Sequence, residues 1–448
     1  MDQFINTSFG LFLMNLVAHY FIPQSLQSFM MLAFGWSLAS GRHTISTYLL
    51  LSGATSCKHF SRYYEFISGR FHRVTDSLWA RLILRAERFI PSGQPLCIKI
   101  DSTTKKKSGQ KIQGRDCYRN GAGTARQEYR TLLGLHFVYA ILEVPVQIST
   151  SGFYLRIPIG LKLYVKKHWA EVLNIPFQSK SQLARKMIDP AAKLLPHRCI
   201  RVTADGEFAT KAFLRDLPQS VDVIGRFPID SKLYQLPKPC QYKGRGRKPV
   251  KGKLMGSPTS QSQLKTGWRL HPTEKDAFVK VVDGIWHSVL PHKLIRVVIV
   301  KRINPQKTNR KLLEAFFSTD VALNPKVILS EYHRRWDIEI DIRDANAYYG
   351  LGQDQCRKYR RIVGINNFRM FMAAARTLFC IEQLQNAKKL NLIRFRPWYR
   401  QKKNLSQLDI ETINREILQA QGIFPTPCFI QDVHEIIHHH QPTRPRAA

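Results

Sequence analysis

Two β-type runs in this chain each lead directly into an aspartate, and this pattern limits the possible folds more than any other feature. Residues 96–100 read LCIKI and precede Asp101, and residues 199–204 read CIRVTA and precede Asp205. These runs and the helical segments around them predict an α/β core. Since ligand-binding and catalytic groups of α/β sheets collect at the carboxyl ends of strands, we expect the two carboxylates to belong to one site.

A third acid lies far downstream, on a helix predicted over residues 331–352. At about 100° per residue, one arc of that helix carries a set of polar side chains: Tyr332, Arg335, Glu339, Arg343 and Asn346. An apolar stripe runs beside this arc: Ile338, Ile342, Ala345 and Tyr349. The helix is therefore expected to pack by one edge and to present Glu339 along the seam. Taken alone, the pattern also fits an ordinary amphipathic helix with solvated charges.

Asp101, Asp205 and Glu339 would repel one another at close range unless a hard cation lay between them. Oxygen ligands of this kind suit Mg²⁺ or Mn²⁺. Two such ions, about 3.5–4 Å apart, activate a water or a 3′-hydroxyl and stabilise the leaving oxygen of a phosphodiester. A strand-end aspartate alone is equally explained as a turn residue, so the hypothesis depends on the three acids together.

The charge of the chain predicts a polyanionic partner. Its 69 Lys and Arg against 32 Asp and Glu give a formal net charge of +37. Nucleic acid is the expected partner, and an anionic membrane surface is the alternative. The apolar run at residues 9–22 is shorter than the ~20 residues that span a bilayer, so we expect a buried helix and no membrane partner. Eight cysteines without a Cys-x-x-Cys pair, and no basic segment typical of a secretory signal, favour a cytoplasmic location.

Composition changes along the chain predict five regions: a helical region at 1–90, a region of short strands at 91–227, a β-rich insertion with a basic loop at 228–294, a second region of strands with the Glu339 helix at 295–385, and a C-terminal region with a basic tail at 386–448. In the first region, residues 58–73 alternate basic and aromatic side chains, which suits phosphate and base contacts. A helical bundle with a basic rim fits that segment equally well.

The insertion contains the basic run YKGRGRKPVKGK at residues 242–253. Arg245 and Arg247 in this run are typical of an arm that enters the DNA minor groove. A disordered basic loop is the other interpretation of so short a motif.

Together the motifs resemble those of DDE-type transposases of bacterial insertion sequences, in the cut-and-paste branch that carries a Tyr-Arg-Glu-Lys signature. Asp101-Ser102-Thr103 is similar to the first acid motif of that family, and DGEF at 205–208 is similar to the second. The signature itself is matched by the spacing of Tyr332, Arg335, Glu339 and Asn346. The likeness spans about residues 95–380. It departs from the family at Asn346, where the family has lysine; Arg343 on the same predicted face could supply that charge.

The resemblance implies an RNase H-like mixed sheet with flanking helices, a β-rich insertion before the last catalytic helix, and an N-terminal all-helical domain that binds terminal inverted repeats. It makes residues 1–90 the DNA-binding domain, residues 91–227 and 295–385 the two parts of the catalytic core, and residues 386–448 a candidate region for dimerisation. It also implies the roles of particular residues. The metal ligands for Mg²⁺, for which Mn²⁺ would substitute, are Asp101, Asp205 and Glu339. The contacts to DNA phosphates near the scissile bond are Tyr332, Arg335, Arg343 and Asn346. An aromatic residue of the insertion, Trp268 or Trp286, is a candidate to receive a flipped base, with core packing as the alternative.

The leading hypothesis from the sequence is a DNA transposase that performs metal-dependent strand cleavage and strand transfer. Its partners would be double-stranded DNA, both terminal repeats and target, and a second copy of the chain on paired ends, in the bacterial cytoplasm with the nucleoid. Asn346 motivates an alternative, a domesticated and catalytically silent DNA-binding protein. A basic membrane-surface protein, based on the uncharged N-terminal segment, is the third hypothesis.

Overall fold

A long mixed β-sheet with helices packed against it makes up most of the protein. The computed structural model describes residues 2–119, 131–148, 151–237, 249–303, 312–385 and 405–423. Among the helices described, none combines the length and the apolar character that a bilayer-spanning segment requires.

Residues 2–90, as described, are helical and contain no β-strand, as the sequence predicts. The helices are α1 (Asp2–Ile5), α2 (Ser8–Val17), α3 (Pro23–Leu38), α4 (Ile45–Leu51), α5 (Phe60–Phe66) and α6 (His72–Glu87). Thr7 and Thr44 accept backbone N–H bonds at the starts of α2 and α4, the usual role of an N-cap hydroxyl. A π-helical turn, Ile67–Phe71, joins α5 to α6.

The described strands all belong to one sheet. They are β1 (Leu96–Lys106), β2 (Asp116–Arg119), β3 (Thr131–Ile148), β4 (Ser151–Tyr164), β5 (Ile200–Ala204), β6 (Val221–Arg226), β7 (Leu233–Tyr234), β8 (Leu254–Gly256), β9 (Trp268–Leu270), β10 (Ala277–Ile285), β11 (Leu294–Arg302) and β12 (Leu313–Ser318). The order across the sheet is β2-β3-β1-β5-β6-β12-β11-β10-β7-β8, with β4 on β3 and β9 on β10.

The centre of the sheet is RNase H-like, as the sequence predicts. β3 is antiparallel to β1, whereas β5 is parallel to β1 and β6 is parallel to β5. β12 then pairs antiparallel with β6, and β11 and β10 continue from it. The strands of the insertion therefore extend the same sheet rather than forming a second one.

The remaining helices flank the sheet: α7 (Lys167–Val172), α8 (Lys180–Leu194), α9 (Lys211–Leu214), α10 (Pro258–Gln263), α11 (Pro325–His333), α12 (Trp336–Asp344), α13 (Tyr359–Gln385) and α14 (Gln407–Ala420). The sequence predicts that α8 stops before Pro190, and this prediction is wrong. The helix continues to Leu194 because Met187, Ile188 and Ala191 are buried on one face. Their packing offsets the hydrogen bond that proline cannot donate.

α13 lies between the sheet and the N-terminal helices. It packs against β4 on one side and against α6 on the other. The rings of Phe29 and Phe368 lie 5.7 Å apart, and the indole N–H of Trp79 donates to the side chain of Asn367 at 3.1 Å. One apolar core consequently runs from the N-terminal helices to the sheet.

Candidate active site

Asp101 and Asp205 occupy equivalent positions on neighbouring strands. β1 and β5 pair in parallel from Leu96 opposite Ile200 to Ile100 opposite Ala204, and each aspartate is the next residue of its chain segment. The charge of Asp205 contributes to raising the pKa of Asp101. The structure thus brings together the two strand-end acids at one point of the sheet.

β1 does not end before Asp101, and the sequence prediction of its end is wrong. The strand continues to Lys106 because its other edge keeps pairing with β3, from Asp101 opposite Tyr139 to Lys106 opposite Gly134. Asp101 therefore lies in the middle of a long strand, where the neighbour on one side, β5, has just ended. The Asp101 carboxylate therefore lies where the parallel pairing of β1 with β5 ends, as expected, although β1 itself continues past this point.

The segment that carries Glu339 is an interrupted helix, and the prediction of one continuous helix over 331–352 is wrong. α11 ends at His333 and α12 begins at Trp336, with Arg334 and Arg335 in a turn between them. Both arginines of the turn bond to core carboxylates, which stabilises the interruption. Beyond α12, a π-helical turn spans Ala345–Tyr349 and ends at Gly350, whose φ of 80° favours glycine.

Two side chains of this interrupted helix connect the three acids. The guanidinium of Arg335 donates to Asp101 Oδ2 at 3.2 Å and to Glu339 Oε1 at 2.6 Å. The hydroxyl of Tyr332 donates to Asp205 Oδ1 at 3.2 Å. Asp101, Asp205 and Glu339, which are far apart in the sequence, therefore lie in one constellation with Tyr332 and Arg335.

Burial and the neighbouring charges set the electrostatics of this constellation. Burial raises the pKa of Asp101 to about 6, with Asp205 and Glu339 adding to the rise and Arg335 and the backbone N–H of Ser102 opposing it. Burial and the charge of Asp205 raise the pKa of Tyr332 to about 12. Three carboxylates thus share one nearby guanidinium, and their oxygen donors suit Mg²⁺ or Mn²⁺. The Glu339 side chain retains 33% of its exposure, so a ligand can reach the group from solvent.

Arg343 and Asn346 lie further along the same segment and face solvent. The Arg343 side chain is 73% exposed and pairs with Asp344 at 3.1 Å, so its charge is already partly neutralised. The side chain of Asn346 is exposed on the π-helical turn, and its carbonyl accepts a bond from Gln353. Within the described residues, neither side chain bonds to the three acids.

The two tryptophans of the insertion differ in environment. Trp286 is 2% exposed and packs against Phe227 and Phe317, with ring centroids 4.7 and 5.7 Å away. Trp286 is therefore a core residue, because its buried ring has no face exposed for stacking on a base. Trp268 is half-buried, and the ammonium groups of Lys280 and Lys301 each lie 5.9 Å from its ring centroid. Arg245 and Arg247 lie outside the described residues.

A buried ion-pair network, which the sequence motifs do not predict, lies beside the site. Lys99 Nζ lies 3.1 Å from Glu143 Oε1, and both side chains are fully buried. Arg334 also reaches Glu143 and pairs with Glu331 at 3.2 Å. The signal was present in the run LCIKID at 96–101, where Cys97, Lys99 and Asp101 alternate with apolar residues. A lysine in the middle of a buried strand requires a partner.

A second set of contacts fixes α12 on its other side. Tyr139, opposite Asp101 in the sheet, donates to Asp341 at 2.6 Å. Arg156 on β4 lies 3.7 Å from Asp341 and 3.3 Å from Asp344. The helix that carries Glu339 is therefore attached to β3 and β4 by buried polar contacts. In the sequence, the spacing of the acids on α12 is the one indication of these contacts.

Cys97, Glu143 and Glu331 form a buried group whose ligand atoms lie within 4.8 Å of one another. Such spacing could hold a metal ion. Lys99 and Arg334 already neutralise the two carboxylates, however, so the group is explained as part of the ion-pair network. Around Arg335 three carboxylates outnumber one guanidinium, which makes them the better candidate for a divalent cation by charge. By geometry, the Cys97 group is the one among the described residues whose ligand atoms lie within 4.8 Å of one another.

An RNase H-like sheet with two aspartates at adjacent strand positions and a glutamate on a following helix defines the DDE class of nucleases. The chain matches the DDE superfamily endonuclease model over residues 29–280, more than half of its length, and belongs to that family. The match includes Asp101 and Asp205 and ends before Glu339. No curated protein matches the chain. Membership supports a nuclease-type enzyme that acts on DNA and uses divalent metal ions.

Proposed function

We propose that this protein is a cut-and-paste DNA transposase of insertion-sequence type. It binds the terminal inverted repeats of its element, cleaves the DNA strands there and joins the ends to target DNA, as a homodimer on paired ends. The observation that carries the proposal is the convergence of Asp101, Asp205 and Glu339 around Arg335 and Tyr332.

In this proposal Asp101, Asp205 and Glu339 hold Mg²⁺, or Mn²⁺ in its place. The bound cations would supply activation of the attacking water or 3′-hydroxyl and stabilisation of the leaving oxygen. Arg335 holds two of the carboxylates in place through its paired bonds, and its planar guanidinium suits a phosphate as well as a carboxylate. Tyr332 orients Asp205 through its hydroxyl.

The rest of the DNA contacts are proposed for basic and exposed parts of the chain. The helical region 1–90 binds the terminal repeats, and the C-terminal region 386–448 contributes to dimerisation. Arg343 and Asn346 are exposed and available to phosphates beyond the three acids. Trp268 is the proposed stacking surface for a flipped base, because two ammonium groups beside its ring can hold the phosphates of the displaced nucleotide.

A catalytically silent DNA-binding protein is the second candidate, and two observations favour it. Asn346 carries no charge, and Arg343 is paired with Asp344, so the helix offers little free positive charge beyond Arg335. Arg335 also bonds to two of the three acids, which gives them a counter-charge without any metal.

Cleavage of a duplex that carries the terminal repeat, in the presence of Mg²⁺, separates the two candidates. We expect the natural protein to cut, and Asp101→Asn, Asp205→Asn and Glu339→Gln each to abolish cutting while DNA binding is retained. Glu171→Gln, an exposed acid on α7, is the matched control and should cut normally. Normal cutting by one of the three variants would remove that residue from the site. Binding without cutting by the natural protein would establish the silent candidate.

A further inference from the structure

A groove of about 590 Å³ lies where three parts of the chain meet. One wall is the junction of the π-helical turn with α6, and the second is the loop between α7 and α8 together with α8. The third is the start of α13, with Gln113 of the loop between β1 and β2 bonded to it. Four cationic side chains line it: Lys186, Lys358, Arg360 and Arg361. The basic run RKYRR at 357–361 supplies three of them.

The positive charge of this groove is uncompensated in the described part of the chain. No Asp or Glu lines the groove, and none of the four cations is in an ion pair there. Arg361 lies over the ring of Tyr64 at 5.4 Å, which leaves its charge in place. Asp76, the acid one turn beyond His72 on α6, is paired with Lys162. Burial and the neighbouring Arg360 lower the pKa of His72, in keeping with a positive potential.

Neutral donors in the groove add to this bias towards an anion. The side-chain oxygen of Gln113 accepts the backbone N–H of Tyr359 at 2.7 Å, and the backbone N–H of Gln113 donates to Arg357 O at 2.9 Å. These bonds fix the orientation of the Gln113 side-chain amide. Because its oxygen is already bonded to Tyr359, its NH₂ group is the part that can bind a ligand. Ser68 and Gln178 are the other neutral donors on the walls. A set of cations and amide donors without carboxylates is typical of contacts to phosphate oxygens.

The chain leads from Asp101 towards the groove along β1. Beyond Asp101, β1 carries the chain about 17 Å to Lys106, and the following loop leads to Gln113 in the groove. Because the groove is concave and enclosed by three parts of the chain, it fits a phosphate backbone better than a flat lipid surface.

We propose that this groove binds the sugar–phosphate backbone of duplex DNA outside the cleavage site. The inference rests on the proposed function, since the DNA is that on which the three acids act. Either the element's own end or the target duplex could supply the backbone, because both present the same phosphates.

The test is the salt dependence of DNA binding by the variant Lys358→Gln/Arg360→Gln. Both side chains are exposed, so their replacement should leave the fold intact. The matched control, Lys193→Gln/Lys275→Gln, removes two exposed lysines outside the groove. Affinity is measured over a range of salt concentrations for a terminal-repeat duplex and for an unrelated duplex of equal length. Removal of each phosphate contact should lower the slope of log affinity against log salt by about 1, so the variant should lose about 2.

A reduced slope with both duplexes, and an unchanged slope in the control, supports a general backbone contact. A reduced slope with the terminal-repeat duplex alone also supports the groove and assigns it to the element's end; with the unrelated duplex alone, it assigns the groove to target DNA. Unchanged slope and affinity with both duplexes would overturn the proposal. So would unchanged DNA binding combined with lost binding to phosphatidylserine vesicles. Failure of the natural protein to cleave refutes the proposed catalysis instead, and leaves the slope comparison valid.

Discussion

Substitution of Glu143 by leucine should lower the free energy of unfolding by about 3–5 kcal/mol. Lys99 Nζ lies 3.1 Å from the Glu143 carboxylate, and neither side chain is exposed. The variant would leave the ammonium of Lys99 buried without its carboxylate, and breaking a buried pair by removing one partner has a cost of this size. Arg334 would keep its contact with Glu331 at 3.2 Å, so the main loss is at Lys99.

The pH of the measurement matters for this variant. Burial raises the pKa of Glu143 to about 7, despite the opposing charges of Lys99 and Arg334. The folded protein therefore holds a proton on Glu143 below that pH, whereas the unfolded chain releases it near its ordinary value of 4.5. Only above pH 7 is the pair fully ionised, and urea unfolding followed by circular dichroism should be measured there.

A double variant, Lys99→Met/Glu143→Leu, supplies the decisive comparison. Because it removes both buried charges, it should recover most of the stability that Glu143→Leu loses. Glu65→Leu is the control, since the exposed pair of Arg62 and Glu65 should contribute less than about 1 kcal/mol. A loss below about 1 kcal/mol for Glu143→Leu, or an equal loss in the double variant, would refute the assignment of a buried ion pair.

Three further predictions concern pH, aromatic residues and metal. Burial and the charges of Arg369 and Arg376 lower the pKa of His43 from 6.5 to about 4, so the unfolded chain binds a proton that the folded protein does not. The free energy of unfolding should fall by about 3 kcal/mol as pH falls from 6.5 to about 4, and His43→Gln should lose this part of the pH dependence in urea titrations. Trp286→Ala should cost about 3–5 kcal/mol of stability by the same assay, whereas Trp268→Ala should mainly weaken DNA binding, by about 1–3 kcal/mol. The affinity for Mn²⁺ should rise about ten-fold per pH unit up to about pH 6 and then level off, because Asp101 must release its proton.

Each of these predictions has an outcome that contradicts it. An unchanged pH dependence in His43→Gln would show that the buried imidazole does not control acid stability. Equal losses of stability in Trp286→Ala and Trp268→Ala would refute the prediction that only Trp286 is a core residue. Mn²⁺ affinity that is flat below pH 6, measured by calorimetry, would show that the proton on Asp101 does not compete with the metal.

The sequence predicted the elements of the site better than their exact geometry. Asp101 and Asp205 could be placed because each follows an apolar run, and parallel pairing then puts them at equivalent positions. The end of β1 could not be predicted, because it depends on pairing with β3. That pairing joins segments distant in the sequence and forms only in the folded protein. The alternation of apolar and polar residues predicted which face of β1 is buried. It could not identify Glu143 as the partner of Lys99, because Glu143 lies far along the chain.

The interruption of the helical segment that carries Glu339 could not be predicted from the sequence either. Helical periodicity placed Tyr332, Arg335 and Glu339 on one face, and the structure brings all three to the aspartates. Periodicity carries no information about the turn at 334–335, because that turn is stabilised by bonds to carboxylates on other elements. The same holds for the groove at the start of α13, whose walls come from three separate parts of the chain.

Binding of Mn²⁺ to the DNA-free protein, followed by electron paramagnetic resonance, shows whether the three acids form one metal site. If Asp101, Asp205 and Glu339 form one metal site, then Asp101→Asn, Asp205→Asn and Glu339→Gln should each weaken Mn²⁺ binding by at least about ten-fold, since each removes a charged ligand. Glu331→Gln, in the neighbouring ion-pair network, should bind Mn²⁺ as the natural protein does. Retention of full affinity by any of the three variants, or loss of affinity in Glu331→Gln, would show that Asp101, Asp205 and Glu339 do not form this metal site.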